Sequence, residues 1–401
     1  MGKHLYAVGL DAGSSCTRCA IGVMEDAYLR LVGTGAAPTW GWSKGRIADR
    51  QAVVDSFLAA IEEAERESGA SVESAVVGMG GSGVQSVNHR GVYEMGRPRE
   101  ISDVDLKYAL DLASRLNLPA DRMLLQMFAQ DFSVDGRAGF RKPNGTLGSR
   151  LEAFVHVVTV SAQEHQLLVS AVNQAHVAVE ETVYEPVAAA YAAVLPEERV
   201  EGVAVVDIGA HSTDLVVYYG DTLLHSASLP IGGDHFTRDV SFGLCTTYED
   251  AQRLKEECGC AILGLTSDNS IIEVPSPEGR PPREAARREL NHILEARAEE
   301  LFLYVRRELS RAGMEQGLMD GIVLSGAAAS LPGMCDMAER VLNCLARNGL
   351  PVGVLDWPEE LDTAAWTTAA GLLMYSARLK CRAVNGGKEG GLLNRVLRAG
   401  L

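Results

Sequence analysis

The chain has 401 residues, of which 47% are hydrophobic and 22% charged, so wholesale disorder is excluded and two domains or more are expected. The formal net charge of −16 at pH 7, without a strong local cluster of basic residues, argues against a nucleic-acid partner. The eight cysteines are scattered along the chain, which favours a location in a reducing cytosol. No uncharged apolar run approaches the roughly 18 residues of a membrane-spanning helix. We therefore expect a protein that is neither exported nor membrane-spanning.

Two segments far apart in the chain share one pattern, a Gly/Ser-containing turn between two apolar strands. They cover residues 5–23 and 203–219, and each predicts a β-hairpin. The two turns align at a constant offset and match at three positions: Asp11 with Asp207, Gly13 with Gly209, and Thr17 with Thr213. The repeat predicts an internally duplicated α/β chain with two lobes.

The elements between the two hairpins predict an α/β lobe followed by an insertion. Apolar residues recur at helical spacing over residues 53–61, and a strand is expected at 74–79, where a Gly-rich break begins. Farther on, Ser102 and Asp105 resemble a capping box that opens a helix through Leu116, and residues 151–160 are typical of a strand. We interpret residues 84–160 as an inserted small α+β subdomain.

The second half of the chain repeats the α/β theme and ends in a different kind of segment. A helix is expected near residues 234–259, and a Pro/Gly loop at 275–282 precedes a long helix. The apolar stripe of that long helix consists of Leu290, Ile293, Leu294, Ala298, Leu301, Phe302 and Val305. Residues 382–391 include four glycines, which is typical of a flexible linker.

The last ten residues, 392–401, predict an amphipathic helix. Its apolar arc and its basic arc would be formed by Leu392, Leu393, Val396 and Leu397, and by Arg395 and Arg398, respectively. Such a helix can lie in the interface of an anionic membrane, where each basic residue contributes on the order of 1 kcal/mol. The alternative is that this helix packs on the surface of its own protein.

The two hairpin turns have the form of phosphate-binding loops, DAGSSCTR at residues 11–18 and DIGAHSTD at 207–214. Glycine removes the Cβ that would keep an anion away from backbone N–H groups. Asp11 and Asp207 could together hold a hydrated Mg²⁺. One such turn alone is more often a structural turn with an Asx hydrogen bond, but the duplication favours a phosphate site clamped between the lobes.

This arrangement resembles the superfamily of actin, the sugar kinases and the heat-shock chaperone ATPases. GIVLSGAAAS at residues 321–330 is similar to its adenosine loop, and YEPVAAAYAAVL at 184–195 is similar to its connecting helix. In that helix, the residue at the position of Glu185 faces the attacking water. The resemblance implies an actin-like (ribonuclease H-like) α/β fold with two duplicated lobes, and ATP with Mg²⁺ between them.

Within the superfamily, the chain resembles the FtsA family of bacterial cell-division proteins over nearly its whole length. The stretches that carry the likeness are GWSKGRIAD at 41–49, EISDVDLKYALDLA at 100–113, DFSVDGRAGFRKPNGTLGSRLEAFVHVVT at 131–159 and IGGDHFTRDV at 231–240. The third belongs to a small subdomain that sugar kinases and chaperones lack. The resemblance implies an ATP-binding adaptor that polymerises and tethers the division tubulin FtsZ to the inner membrane. A PilM-type scaffold of pilus assembly is the alternative, and a small-molecule kinase is a third class.

The resemblance also implies roles for the residues of the cleft. Those expected to contact ATP are Asp11, Gly13, Ser14, Ser15, Cys16, Arg18, Gly209, Ala210, His211, Ser212, Thr213, Gly232, Gly233, Gln252, Lys255, Gly326, Ala327 and Ala328. Asp11 and Asp207 would hold Mg²⁺, and Asp207 with Glu185 would serve a hydrolysis that we expect to be slow or absent. The chain departs from the family at Cys16, where lysine is usual, and at Ala210-His211 and Ala327-Ala328, where glycine pairs are usual.

Further implied contacts concern partners. Arg297 and Glu300 match family positions that contact the FtsZ C-terminal tail, although from sequence alone an ordinary surface ion pair is equally expected. The other implied partners are copies of the chain itself, later divisome proteins through the inserted subdomain, and membrane lipids through the C-terminal helix. These imply a peripheral protein at the cytoplasmic face of the inner membrane, at the division septum.

The resemblance also divides the chain into domains. The first lobe would comprise residues 1–83, 161–195 and 360–381, interrupted by the insertion at 84–160. The second lobe would comprise 196–230 and 313–359, with a subdomain, 2B, at 231–312. The linker at 382–391 and the amphipathic helix at 392–401 would follow.

Overall fold

The computed structural model describes residues 5–25, 28–267, 269–276 and 281–384. The first half of the chain forms these elements: β1 (Leu5–Ala12), β2 (Cys16–Glu25), β3 (Tyr28–Pro38), β4 (Trp42–Ser43), β5 (Arg46–Ile47), α1 (Arg50–Ser68), β6 (Ser74–Met79), β7 (Gln85–Glu100), α2 (Asp103–Ser114), β8 (Arg122–Val134), β9 (Arg137–Phe140), β10 (Leu147–Ser161), α3 (Ala162–Gln174), β11 (Ala178–Tyr184) and α4 (Glu185–Ala193).

The second half adds the elements α5 (Pro196–Glu201), β12 (Val203–Ile208), β13 (Thr213–Tyr219), β14 (Thr222–Leu229), α6 (Gly233–Leu244), α7 (Tyr248–Cys258), β15 (Ile271–Val274), β16 (Arg283–Ala286), α8 (Arg287–Arg311), β17 (Ile322–Ser325), α9 (Met334–Leu342), β18 (Ala346–Asn348), β19 (Val354–Leu355) and α10 (Thr367–Val384).

Two mixed sheets repeat one strand arrangement, which confirms the predicted duplication. The first sheet has the order β11-β6-β1-β2-β3-β19, and the second has the order β14-β13-β12-β17-β18. In each sheet a hairpin has a parallel neighbour on its first strand: β1 pairs with β2 and β6, and β12 pairs with β13 and β17. The expected actin-like α/β fold is therefore present.

Close packing against α10 holds the first lobe together. A Cβ on Gly371 of α10 would lie 1.7 Å from the carbonyl oxygen of Ala188 in α4, so the two helices touch backbone to backbone at this point. A Cβ on Gly9 would lie 2.4 Å from the backbone nitrogen of Leu373, so α10 also rests directly on β1. Glycine is required at both places because any side chain would push α10 away from its neighbour.

The inserted subdomain has its own sheet, in the order β7-β10-β8-β9, with α2 packed on it. The predicted capping box is confirmed, because the Asp105 carboxylate accepts the Ser102 backbone N–H at 2.9 Å. The helix ends at Ser114, two residues earlier than expected. The sheet also contacts β14 of the second lobe, where Gln130 Nε2 donates to the carbonyl oxygens of residues 223 and 224 at 3.0 and 3.1 Å.

Two expectations need correction. Residues 234–259 form two helices, α6 and α7, because Cys245 adopts a left-handed backbone (φ 53°) that ends the first. The last helix, α10, runs to Val384, three residues into the segment predicted as a linker. The remaining linker residues and the amphipathic helix at 392–401 lie outside the described residues. Within the described ranges, no helix is long and apolar enough to cross a membrane.

Candidate functional site

The two hairpin turns face one cavity of about 760 Å³ between the lobes. Residues 13–15 connect β1 to β2, and residues 209–212 connect β12 to β13, so each turn lies at the same end of its sheet. The turns need small residues: a Cβ on Gly13 would lie 2.5 Å from the Cys16 carbonyl oxygen, and the Gly209 N–H donates to the Ser212 carbonyl at 2.9 Å. The structure thus brings the predicted phosphate loops together.

Four carboxyl groups lie behind the turns: those of Asp11, Asp207 and Asp214 are buried, and that of Glu185 is half-buried. Burial raises the pKa of Asp207 to about 7, helped by the negative charges of Asp11 and Asp214. Burial also raises the pKa of Glu185 well above its usual value, again with help from the neighbouring aspartates. Near neutral pH the cluster therefore holds protons that exposed carboxyl groups would have lost.

A glycine-rich segment makes room for this cluster. A Cβ on Gly80 would lie 2.1 Å from Glu185 Oε2 and 2.9 Å from Asp214 Oδ2, so any larger residue there would displace one of these carboxyl groups. The next N–H, of Gly81, donates to Asp214 Oδ2 at 2.9 Å, and the Tyr184 hydroxyl contacts the other oxygen at 3.2 Å. These hydrogen bonds partly offset the cost of burying the Asp214 carboxylate.

Asp11 differs from the other acids because it has a cation beside it. Arg18 lies opposite Asp11 in the β1–β2 ladder, with Nη1 3.7 Å from Oδ2, and its guanidinium lies over the Trp366 ring at 5.8 Å. Burial raises the pKa of Asp11 to about 6, and Arg18 opposes that rise. In the second hairpin the residue opposite Asp207 is another acid, Asp214.

The carboxylates fit a divalent cation only in part. Among the described residues, no three His, Cys, Asp or Glu side chains are grouped so as to bind a metal ion by themselves. Mg²⁺, however, keeps several waters and commonly takes one or two carboxylates together with phosphate oxygens. Acids whose pKa is raised by burial are groups that such a cation would stabilise in their ionised form, so Asp11 and Asp207 fit Mg²⁺ bound together with phosphate.

His211 at the tip of the second hairpin reaches across the cleft. Its Nδ1 lies 2.8 Å from the Ser14 hydroxyl of the first hairpin, and its Nε2 lies 3.2 Å from Asp234 Oδ2 on α6. Burial lowers the pKa of His211, so the ring is neutral at pH 7. The two predicted phosphate loops are therefore linked directly by side chains.

The residues expected to contact adenosine form a compact wall on the second lobe. A Cβ on Gly233 would lie 3.2 Å from the Ala328 methyl and 3.8 Å from Lys255 Nζ. Lys255 donates to the Gly233 carbonyl at 3.3 Å and to Gln252 Oε1 at 2.9 Å. The side chains of the wall are thus satisfied by one another. Burial lowers the pKa of Lys255.

The structure places the predicted ligand residues in two groups. The cavity is lined by Asp11, Gly13, Ser14, Ser15, Cys16, Arg18, Glu185, Asp207, Gly209, Ala210, His211, Ser212, Gly326 and Ala327. It is not lined by Thr213, Gly232, Gly233, Gln252, Lys255 or Ala328. Thr213 is buried and donates to the Ile231 carbonyl at 2.8 Å, so its hydroxyl supports the hairpin from behind.

Among the cavity-lining residues that sequence reasoning missed are Gly80, Gly81 and Asp214, which lie at the acid cluster. The glycines lie in the break at 78–83, whose role the sequence did not reveal. Asp214 could have been found, because in a hairpin of this length it falls opposite Asp207. An acid facing an acid in a buried ladder is a signal of function rather than of stability.

The predicted partner-binding pair, Arg297 and Glu300, lies on α8 of the second lobe. Arg297 is bound by two acids: its Nε is 2.5 Å from Asp239 Oδ2 on α6, and its Nη1 contacts Glu300. The Arg297 side chain is 23% exposed and that of Glu300 is 44% exposed, so an approaching peptide could reach both.

Comparisons with known proteins agree with this architecture. The sequence matches the family model described as "Cell division protein FtsA" over residues 204–371, and that described as "SHS2 domain inserted in FTSA" over residues 81–159. Cell division protein FtsA of Pseudomonas aeruginosa is 36% identical, with 92% of this chain and 88% of that protein covered. The corresponding protein of Borreliella burgdorferi is 35% identical (94% and 91% covered), and that of Escherichia coli K12 is 29% identical (92% and 89% covered).

Solved structures with the same architecture share little sequence with the chain. A chain titled "PilM-PilN type IV pilus biogenesis complex" aligns with a TM-score of 0.65 at 17% identity, covering 92% of this chain and 98% of that one. MreB5 of Spiroplasma citri bound to ADP aligns with a TM-score of 0.56 at 13% identity, covering 95% and 99%. At these identities the likeness shows the fold alone.

Proposed function

The chain belongs to the FtsA family of bacterial cell-division proteins, and from that premise we propose that it is an ATP-binding, actin-like adaptor that links FtsZ filaments to the inner membrane. The observation that carries the proposal is the pair of phosphate-type hairpins that face one cavity from opposite lobes. The PilM-type alternative has in its favour a likeness of fold, whereas the relatives with 29–36% identity over most of the chain are FtsA proteins.

In the proposed nucleotide site, backbone N–H groups of the two turns hold the phosphates, and the Ser14 hydroxyl adds a donor. Asp11 and Asp207 would hold Mg²⁺. Gln252 and Lys255 do not line the cavity, and they would have to exchange their mutual hydrogen bond for contacts with the ribose and base. Bound Mg²⁺ would neutralise charge on the phosphates and on the acid cluster. Arg18 is the only cation of the first hairpin and supplies positive charge where the family usually has lysine at the position of Cys16.

Hydrolysis is proposed to be slow. Burial and three nearby aspartates raise the pKa of Glu185 well above its usual value, which favours the protonated form, and a protonated carboxyl cannot accept a proton from water. Asp207, with a pKa of about 7, is the better candidate for that role. The test is a single-turnover assay with radiolabelled ATP across pH 6–9; a fast, pH-independent rate would contradict this account.

The site for the FtsZ C-terminal tail is proposed to include Arg297 and Glu300. A peptide that brings its own charges could exchange partners with Arg297, which already holds two carboxylates at the surface. Arg297→Ala should weaken binding of a labelled tail peptide about tenfold, measured by fluorescence anisotropy. Arg340→Ala, which removes a different surface pair, between α9 and Glu295 of α8, is the matched control and should bind the peptide normally.

Membrane attachment and assembly complete the proposal. The segment 391–401 would touch anionic lipids at the septum, copies of the chain would polymerise, and the inserted subdomain would recruit later divisome proteins. Weak single tails would gain avidity within a filament. Removing residues 391–401 should abolish sedimentation with anionic liposomes and leave nucleotide binding intact; unchanged sedimentation would refute the role of the tail.

A further inference from the structure

His211 lies between the two lobes and contacts both of them. Its side chain is 18% exposed and contacts the Ser14 hydroxyl of the first lobe and the Asp234 carboxylate of the second. A Cβ on Gly45, in the β4–β5 turn of the first lobe, would lie 3.5 Å from the His211 Cβ. The imidazole is therefore held between Ser14 of the first lobe and Asp234 of the second, and the β4–β5 turn lies beside the residue.

The hydrogen bonds of the ring define where its proton lies. The carboxylate of Asp234 faces Nε2 at 3.2 Å and favours a proton on that nitrogen. Nδ1 of the neutral ring is then an acceptor, so the Ser14 hydroxyl donates to it across the 2.8 Å contact. A serine hydroxyl has one proton to donate. While His211 receives it, Ser14 cannot donate to a phosphate oxygen.

We propose that His211 is a positioning residue that acts as a latch: it ties the two phosphate hairpins together and occupies Ser14 until the phosphates of an incoming nucleotide displace its ring. This inference rests on the proposed nucleotide function and adds to it a step that precedes binding. Only the fraction of molecules with the latch open accepts nucleotide, so the latch lowers the apparent affinity by that fraction.

His211 can be replaced by alanine without a change in the backbone of the turn. His211 does not have a positive φ, so its backbone lies outside the left-handed region and alanine can replace it without strain. His211→Ala removes the ring and keeps the turn. His89→Ala is the matched control, since it removes another half-buried imidazole, which contacts the Ala113 carbonyl of the inserted subdomain outside the cleft.

Two measurements test the proposal. The first is stopped-flow association of a fluorescent ATP analogue with Mg²⁺. The second is hydrogen–deuterium exchange of residues 13–16 and 209–213 in the nucleotide-free protein. In His211→Ala we expect association about fivefold faster, the factor for loss of one hydrogen bond of about 1 kcal/mol. We also expect faster exchange in the first-lobe turn, although the substitution is in the second lobe. His89→Ala should match the wild type in both.

The outcomes separate the latch from the nucleotide function. Unchanged association with unchanged exchange in His211→Ala overturns the latch. Slower association or weaker binding also overturns it, because His211 would then be a phosphate ligand. If neither wild type nor variant binds the nucleotide analogue, the proposed function fails, and exchange alone decides the link between the hairpins: faster exchange at 13–16 supports it, and unchanged exchange overturns it.

Discussion

The two phosphate-type hairpins have the same backbone but opposite charge arrangements. In the first hairpin Asp11 lies opposite Arg18, and in the second Asp207 lies opposite Asp214. Burial therefore has different results in the two hairpins. It raises the pKa of Asp11 to about 6 although the positive charge of Arg18 opposes the rise, and it raises the pKa of Asp207 to about 7 with a further contribution from the negative charges of Asp11 and Asp214. The duplicated fold carries one hairpin with its own counter-charge and one without it.

This difference indicates a division of labour. A carboxylate with an arginine beside it depends less on another cation, while an acid facing an acid is stabilised when a cation arrives from outside. The second hairpin is therefore the part of the cleft that depends most on Mg²⁺, and the first depends on it less.

Arg18→Asp should have the largest effect because it gives the first hairpin the charge arrangement of the second. Arg18 is 13% exposed, and the change removes the partner of a buried carboxylate and adds another acid. We expect a loss of roughly 3–5 kcal/mol in the free energy of unfolding at pH 8, and a smaller loss at pH 5, where the acids take up protons. Urea denaturation at both pH values measures it.

The matched control is Arg30→Asp on the adjacent strand. Arg30 pairs with Glu25 and Asp356 at the surface, where its side chain is 42% exposed, so its loss should cost no more than about 1 kcal/mol. Equal losses for the two variants would show that the charge opposite Asp11 has no special weight.

Asp207→Asn and Asp11→Asn should both stabilise the nucleotide-free protein at pH 8, and Asp207→Asn should do so by more. A buried acid with a raised pKa binds more protons in the folded state, so its contribution to stability falls as the pH rises from about 4 through the raised value. Asp207→Asn removes that penalty and should add roughly 2–4 kcal/mol at pH 8. The pKa of Asp11 rises only to about 6, because Arg18 opposes the effect of burial, so Asp11→Asn should add less. A larger gain for Asp11→Asn than for Asp207→Asn in urea denaturation at pH 8 would contradict the comparison.

The Mg²⁺ dependence of ATP binding should show whether Asp207 of the second hairpin acts through the metal ion or on the nucleotide directly. Asp207→Asn should weaken Mg-ATP binding by about 30-fold, which corresponds to roughly 2 kcal/mol, because it removes a charged group that faces the cation. With EDTA in place of Mg²⁺, wild type and variant should bind ATP within about twofold of each other. A loss of similar size in EDTA would mean that Asp207 acts on the nucleotide without the metal.

Ala328→Gly should have the smallest effect, since it changes the wall beside the nucleoside and neither hairpin. The Ala328 methyl lies against the backbone at Gly233, and its removal widens the gap expected to admit adenosine. We expect ATP to bind up to about fivefold more tightly, by the same factor with and without Mg²⁺. Calorimetry in both conditions checks it; a gain that appears only with Mg²⁺ would tie this wall to the metal site.

The sequence predicted the parts of the site that repeat or follow local rules. Asp11, Asp207 and the glycines that follow them predict the two hairpins, and Ser102 with Asp105 predicts the start of α2. These predictions succeed because turns and helix caps depend on residues that are close together in the sequence. The break between α6 and α7 was missed because Cys245 is an ordinary residue in a left-handed conformation. The signal that could have located it is Thr247 with Asp250, which cap the start of α7 at the same spacing as Ser102 and Asp105 in α2.

What the sequence did not predict depends on contacts between distant residues. His211 and Ser14 are 197 positions apart, so their hydrogen bond follows only from the way the lobes face each other. The raised pKa of Glu185 likewise needs Asp11, Asp207 and Asp214 to converge from different strands. The closed wall formed by Lys255, Gln252 and Gly233 is a matter of side-chain packing, which periodicity does not encode.

Proton release on Mg-ATP binding tests whether the two hairpins hold the phosphates and Mg²⁺ beside the acid cluster. If the hairpins hold phosphates and Mg²⁺ beside the acid cluster, the cation lowers the pKa values of Asp207 and Glu185, and protons leave at pH 7. Calorimetric titration in two buffers of different ionisation enthalpy counts those protons. We predict one bound Mg-ATP per chain with net proton release that is reduced in Asp207→Asn. Absence of binding, or binding with the same proton count in wild type and variant, would contradict the account.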